Sequence, residues 1–356
     1  MNAEFHTPRE YFASANGYGG FKSYFSKIFD SVSFERIFIL KGGPGTGKSS
    51  LIKKIGAFCK ENDLYYEIFR CSSDPQSLDG IIIKDNDVRV AVLDGTAPHE
   101  RDAEIPGAID EIINLGAAWD TSALQSKREI ISKLINDKNE HYKKAYSNLR
   151  YSSVFAANIK AEIKSLIDFN ECSKKIDRTV DRFFESLITG KEQIRLLSSF
   201  SKYGFKTLSG PANLFKNNYS VFGRYGSDSI FIRLLADRLS ILGAEMCRVP
   251  SPLDEEVDEA ILFEKSDTAL FGMGSGEVIC DTSELLKIKN IRDFENRIQK
   301  LESNKEYYLN LASEELSLAS DAHFALENIY TPLMDFSIVD GLLSDMLLKI
   351  KNIYSL

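Results

Sequence analysis

Apolar residues recur along this chain with two different periods. In the N-terminal third, short β-rich runs, RIFIL at 36–40, YYEIF at 65–69 and VRVAVL at 88–93, alternate with loops and a helical stretch. That order predicts an α/β sheet of parallel strands. Glycine and proline, which break helices, are absent from residues 117–189 and from residues 277–331, so both stretches are predicted to be long helices. In the first, Ile131, Ile135, Tyr142, Ala145, Leu149, Ala156, Ile159, Ile163 and Leu166 follow 3–4 spacing and make one apolar seam, interrupted by Lys138 and Ser152. A helical arm or hairpin is expected there.

An α/β part followed by a helical arm therefore occurs twice, which divides the chain into α/β segments at 1–116 and 194–284 and arms at 117–193 and 285–356. A faint repeat accompanies the division. Gly20-Phe21-Lys22 is matched by Gly204-Phe205-Lys206, KGGPGTGKSSLI (41–52) by VFGRYGSDSIFI (221–232), SLDGIII (77–83) by EVDEAIL (256–262), and AVLDGTAPHE (91–100) by ALFGMGSGEV (269–278). Four matches in one order point to tandem duplication.

Composition narrows the classes. With 44 basic and 52 acidic residues, a net charge of −8, 43% hydrophobic and 27% charged residues, the chain is expected to fold into two or three domains and not to take nucleic acid as a partner. It has no apolar run of membrane-spanning length, and MNAEFHTPRE lacks the features of a secretion signal, so a cytoplasmic protein with no membrane partner is expected. Cys59, Cys71, Cys172, Cys247 and Cys280 are odd in number and form no CxxC pair; they read as reduced thiols, mostly in the core.

The strongest local signal is GGPGTGKS at 42–49, a full match to G-x-x-x-x-G-K-[ST] with an apolar strand before it and a helix after it. Glycines without Cβ let successive amides and a helix N-terminus converge on phosphate oxygens. The candidate cradle is Gly42, Gly43, Pro44, Gly45, Thr46, Gly47, Lys48, Ser49 and Ser50. Lys48 would neutralise the terminal phosphates and Ser49 would ligate Mg2+. VAVLD at 90–94 ends an apolar strand in Asp94, the candidate second holder of the metal, through water. Gly95 follows where many ATPases place a glutamate, which leaves His99 and Glu100, on the loop leaving that strand, as candidates to orient a water or an acceptor hydroxyl. Cys71-Ser72-Ser73-Asp74 should lie on the same rim, read as a polar turn before a phosphate sensor. His6, His141 and His323 are isolated, and Trp119 is expected in the core.

In the second half Lys48 is matched by Asp228 and Asp94 by Gly272, so that half is expected to be a scaffold that hydrolyses nothing. Arg224, Arg233 and Arg248 are candidates for an arginine reaching over the first site, weighed against ordinary surface positions.

Taken together, RIFILKGGPGTGKSSLIKKI, CSSDPQSLDG, VAVLDGTAPHE and PGAIDEIINLGAAWD resemble an uncharacterised family of bacterial tandem P-loop ATPases, over residues from about 17 to 120. The resemblance implies a P-loop NTPase-type parallel sheet with helical arms, duplicated in tandem, and ATP with Mg2+ bound and hydrolysed by residues 42–50 and Asp94. It implies no substrate. Many members keep a second glycine-loop motif in the C-terminal half, which this chain lacks. No LSGGQ and no N/T-K-x-D motif is present, so adenine is the expected base. Three readings follow: an ATPase whose arms act on a protein partner, ranked first; a small-molecule or nucleotide kinase with an arm as lid and Arg70 and Arg101 at the transferred phosphoryl group; and an ATP-dependent switch with negligible turnover.

Overall fold

The computed structural model describes residues 7–183, 188–208, 215–272, 274 and 276–356; His6, Met273 and Ser275 lie outside them. The chain forms β1 (Arg9–Phe12), β2 (Ser14–Gly17), β3 (Gly20–Ser23), α1 (Phe25–Ile28), β4 (Arg36–Lys41), α2 (Lys48–Glu61), β5 (Tyr65–Arg70), β6 (Leu78–Asp85), β7 (Val88–Asp94) and β8 (Asp110–Asn114). Helices α3 (Thr121–Ser126), α4 (Arg128–Leu166) and α5 (Phe169–Phe183) follow. Then come β9 (Gln193–Ile194), β10 (Ser198–Ser201), β11 (Gly204–Thr207), β12 (Asn217–Phe222), α6 (Ser227–Ile241), β13 (Cys247–Pro250), β14 (Asp258–Phe263), β15 (Thr268–Gly272), β16 (Glu277–Asp281), α7 (Ile291–Tyr330) and α8 (Phe336–Tyr354).

Two six-stranded sheets result, ordered β1-β5-β6-β7-β4-β8 and β9-β13-β14-β15-β12-β16. The order and the sense of every pairing are the same in both: β6 runs antiparallel to β5 and β7, β14 runs antiparallel to β13 and β15, and the other neighbours are parallel. The expected parallel sheet is thus mixed. The cause is the link between β6 and β7, only Asn86 and Asp87, with Asn86 at φ 51°; two residues can join antiparallel neighbours, whereas a parallel pair needs a crossover.

Period-two alternation sends each strand's side chains to two different cores. Ile37 and Ile39 of β4 join Phe69, Ile82, Ala91 and Leu93 against Val249, Ala260, Leu262 and Ala269, so the two sheets pack face to face. Phe38 and Leu40 point the other way, onto Leu51, Ile52 and Ile55 of α2 and Val339, Leu343, Met346 and Ile350 of α8. The outer face of the second sheet is covered by α5, α6 and the facing ends of α4 and α7. One face of each sheet therefore carries helices and the other meets its neighbour.

Both predicted long helices form, with breaks. Residues 117–189 give α3, α4 and α5. Residues 277–331 open with a strand, β16, because it completes the edge beside β12, and α7 starts only after Asn290, whose side chain accepts from the Asp293 amide at 3.3 Å. Helices α4 and α7, 39 and 40 residues long, lie antiparallel: His141 meets Glu315 at 2.7 Å, Ser152 donates to the Lys305 carbonyl at 3.1 Å, and Arg297 meets Glu162 at 3.4 Å. Ser152, an interruption of the seam in sequence, is thus a buried cross-helix donor. No helix among the described residues is long and apolar enough to cross a membrane.

Candidate functional site

Strand β4 delivers residues 42–47 to the edge where β7 and β8 also end. Gly45 and Gly47 sit at φ 70° and 83°, conformations that glycine adopts without penalty, and Gly47 caps α2. Thr46 Oγ1 donates to the Gly43 carbonyl at 2.9 Å, closing the loop on itself. Lys48 Nζ donates to the Gly42 and Gly43 carbonyls at 2.7 and 2.9 Å and lies 3.7 Å from Asp94 Oδ2 on β7. No strand intervenes between β4 and β7, which is why these two charges meet. Asp94 Oδ1 accepts from Thr96 N and Oγ1 at 2.9 and 2.6 Å. Ser49 Oγ accepts from the Leu78 amide at 3.0 Å, tying α2 to the start of β6. Ser50 is exposed.

The two candidate water-orienting residues separate. His99 folds back under the rim, 6% exposed, with Nε2 3.4 Å from Asp79 Oδ2 and its ring stacked on Phe25 at 4.4 Å. Burial works against its charged form, but Asp79 and then Asp94 outweigh this and raise its pKa above the ordinary imidazole value. Glu100 stays exposed on the same loop and enters no ion pair among the described residues. Gly95 explains the missing glutamate: a Cβ there would stand 2.4 Å from Ile39 Cγ2 and 3.0 Å from the Arg101 carbonyl, so the position after Asp94 admits no side chain.

Asp79 was not singled out from sequence. It occupies a bulge, where Phe69 pairs with Gly80 but Arg70 pairs with Leu78, and the bulge turns its carboxylate beside Asp94 and His99. An acidic residue opening the apolar run Ile81 to Ile83 was the available signal. The Cys71 thiol also approaches Asp79; burial and then that carboxylate push its pKa well up. Ser72 is buried against Ser14 at 3.0 Å, while Ser73 meets Tyr142 of α4 at 3.4 Å.

The arms close over this edge. Trp119, expected in the core, instead lies against the loop, with a Gly43 Cβ position 3.2 Å from its Cζ2 and the Tyr330 ring 5.8 Å away. A Cβ on Gly45 would be 2.5 Å from Thr331 Oγ1. Glu327 on α7 is held below the ordinary carboxylate pKa by a hydrogen bond with His323, with the Gly45 amide and Lys48 adding to it. On α4, Lys138 is half-buried, and its pKa is lowered by burial and by Lys48.

In the second sheet the corresponding loop, residues 223–226, is two residues shorter, and Gly226 caps α6 at φ 85° as Gly47 caps α2. By that register Ser227 stands at the place of Lys48 and Asp228 at that of Ser49, one residue from the sequence match. Asp228 is buried, which raises its pKa, and its Oδ2 is 2.9 Å from the Cβ position of Gly272. The bulge recurs, with Val249 on Ala260 and Pro250 on Asp258, so Glu259 stands where Asp79 does. Arg248 is engaged by Asp237 and Asp258, and Arg233 by the Glu255 carbonyl and Asp237; Arg224 is exposed. Arg70 is likewise held by Glu10, and Arg101 by Ser31 and Glu104.

No protein-family model matches this chain, and no match is found among curated proteins or among solved structures.

Proposed function

We propose that the chain is a P-loop NTPase, duplicated in tandem, that binds ATP with Mg2+ at residues 42–50 and hydrolyses it in the cytoplasm. The observation that carries this reading is the glycine loop at the end of β4, with Lys48 beside the strand-terminal Asp94 and Ser49 one residue on. In this reading the loop amides and Lys48 hold the phosphates, Ser49 and Asp94 hold Mg2+, and His99, positioned by Asp79, orients the attacking water; Glu100 is too exposed to share that role. The identical strand order of the two sheets supports duplication. The shortened second loop, with a buried carboxylate at Asp228, fits a half that no longer binds triphosphate.

Of the three readings, arm-coupled hydrolysis is favoured. The arms rest on the loop itself through Glu327, Thr331 and Trp119, so phosphate binding and arm position compete for one place. The two arginines a kinase would use are engaged elsewhere. ADP release from Mg-ATP, with GTP for comparison and binding followed in parallel, tests the proposal. Lys48→Ala is expected to abolish binding or turnover and Asp228→Ala to change little; turnover that survives Lys48→Ala would sink it.

A further inference from the structure

Asp79, Asp94 and His99 form a cluster that phosphate binding does not require. Each offers one donor atom within 4.8 Å of the other two, and the residues are only 4%, 8% and 6% exposed. Two carboxylates taken out of water are costly to bury unless positive charge sits among them, and beside Lys48 either a protonated His99 or a metal ion bound to a neutral one can supply it. Lys48 reaches Asp94 alone. Asp79 Oδ2 is buried without a hydrogen bond, although His99 Nε2 is 3.4 Å away, and His99 Nδ1 also has none. The imidazole is held by Phe25, whose ring stacks within 5° of parallel.

Donor type and spacing point to a metal ion. Bonds of about 2.0–2.2 Å place the donors of one ion up to about 4.4 Å apart, so closure needs movements of a few tenths of an ångström. Magnesium and calcium prefer oxygen donors throughout, whereas an imidazole among carboxylates suits manganese, cobalt and zinc. In the second sheet Glu259 and Gly272 replace Asp79 and Asp94, and no such cluster forms there among the described residues.

We propose that Asp79, Asp94 and His99 bind one divalent cation of the manganese, cobalt and zinc class. The site needs no nucleotide, but it shares Asp94 and His99 with the nucleotide reading, so an ion held here takes the place of the Asp94–Mg2+ contact and of His99 as the water-orienting group, and it is tested without nucleotide. A bound ion of this kind acidifies a coordinated water, a function for which Gly95 leaves no glutamate.

The test is titration of the full metal-free chain, without nucleotide, with Co2+ followed by visible absorption and with Zn2+ followed by equilibrium dialysis. One equivalent of either ion is expected, retained in excess Mg2+ and in Lys48→Ala. Binding should weaken more than about tenfold in His99→Gln and in Asp79→Asn, each checked for folding by circular dichroism. If the wild type binds neither ion, if Mg2+ displaces both, or if cobalt gives a thiolate charge-transfer band in place of an oxygen–nitrogen spectrum, the assignment falls. The wild-type result decides even if a variant fails to fold.

Discussion

The carboxylate of Glu327, on the last turn of α7, faces the backbone amide of Gly45 in the glycine loop, with Lys48 close enough to favour its charged form. An anion of the protein thus stands at amides suited to phosphate oxygens. Replacing it with a neutral group should raise affinity for ATP. Glu327→Gln is expected to tighten binding several-fold, about 1 kcal/mol, measured by calorimetric titration; unchanged or weaker binding would count against a contest between arm and phosphate.

Trp119 is the single tryptophan of the chain, and its indole fills the space beside Gly43 where a Cβ would stand and neighbours Tyr330. Its emission should therefore report on the loop and arm together. Mg-ATP is expected to change its intensity or wavelength saturably in the wild type and not in Lys48→Ala. A silent tryptophan in a protein that demonstrably binds ATP would mean that loop and arm do not move on binding.

Glu259 takes the bulge position in the second sheet. Burial pushes its carboxyl up to about 7 from an ordinary 4.5, against the hydroxyls of Ser198 and Ser251, which pull it down. A carboxyl whose folded pKa exceeds its unfolded value takes up a proton on folding. Its contribution is full below about 4.5 and is lost as pH rises through about 7. Glu259→Gln should therefore be more stable than the wild type at pH 8 by about 3 kcal/mol, a gap that narrows toward pH 5. A gap independent of pH would refute the assignment.

Arg195 is fully buried between the sheets, 3.3 Å from Glu67, which also pairs with Lys84. Burial would raise the Glu67 pKa, but Lys84 and then Arg195 outweigh it and hold it well below the ordinary carboxylate value. Arg195→Met should destabilise the fold by about 3–5 kcal/mol by leaving that carboxylate underpaired. Adding Glu67→Gln should recover part of the loss; additive losses in the double variant would show that the two groups are not coupled.

Local features were the legible ones. The glycine loop could be read because every group it uses lies within a few residues, and the long helices because periodicity needs no partner. Asp79 was hidden because its place depends on a bulge between β5 and β6 and on β6 pairing with β7, and only the second is set by the two-residue turn. Lys138 looked like a flaw in an apolar seam, yet register on α4 turns it toward Lys48. The likeness of the two halves was visible, but the second loop is two residues shorter, which sets Ser227 and not Asp228 at the place of Lys48, a displacement that only the glycine-capped helix starts reveal.

Helix α8 closes the outer face of the first sheet, with Lys54 on Asp340 at 2.7 Å and Tyr354 on the Ile83 carbonyl at 3.0 Å. These partners are separated by nearly 300 residues in sequence. During translation the strands carrying the glycine loop are therefore made well before α8, and until α8 has left the ribosome only α2 covers part of their apolar outer face. Closure over so long a separation is slow, and an uncovered sheet invites association. The first sheet is thus complete long before its cover, and its maturation is tied to the arrival of a helix made about 270 residues later.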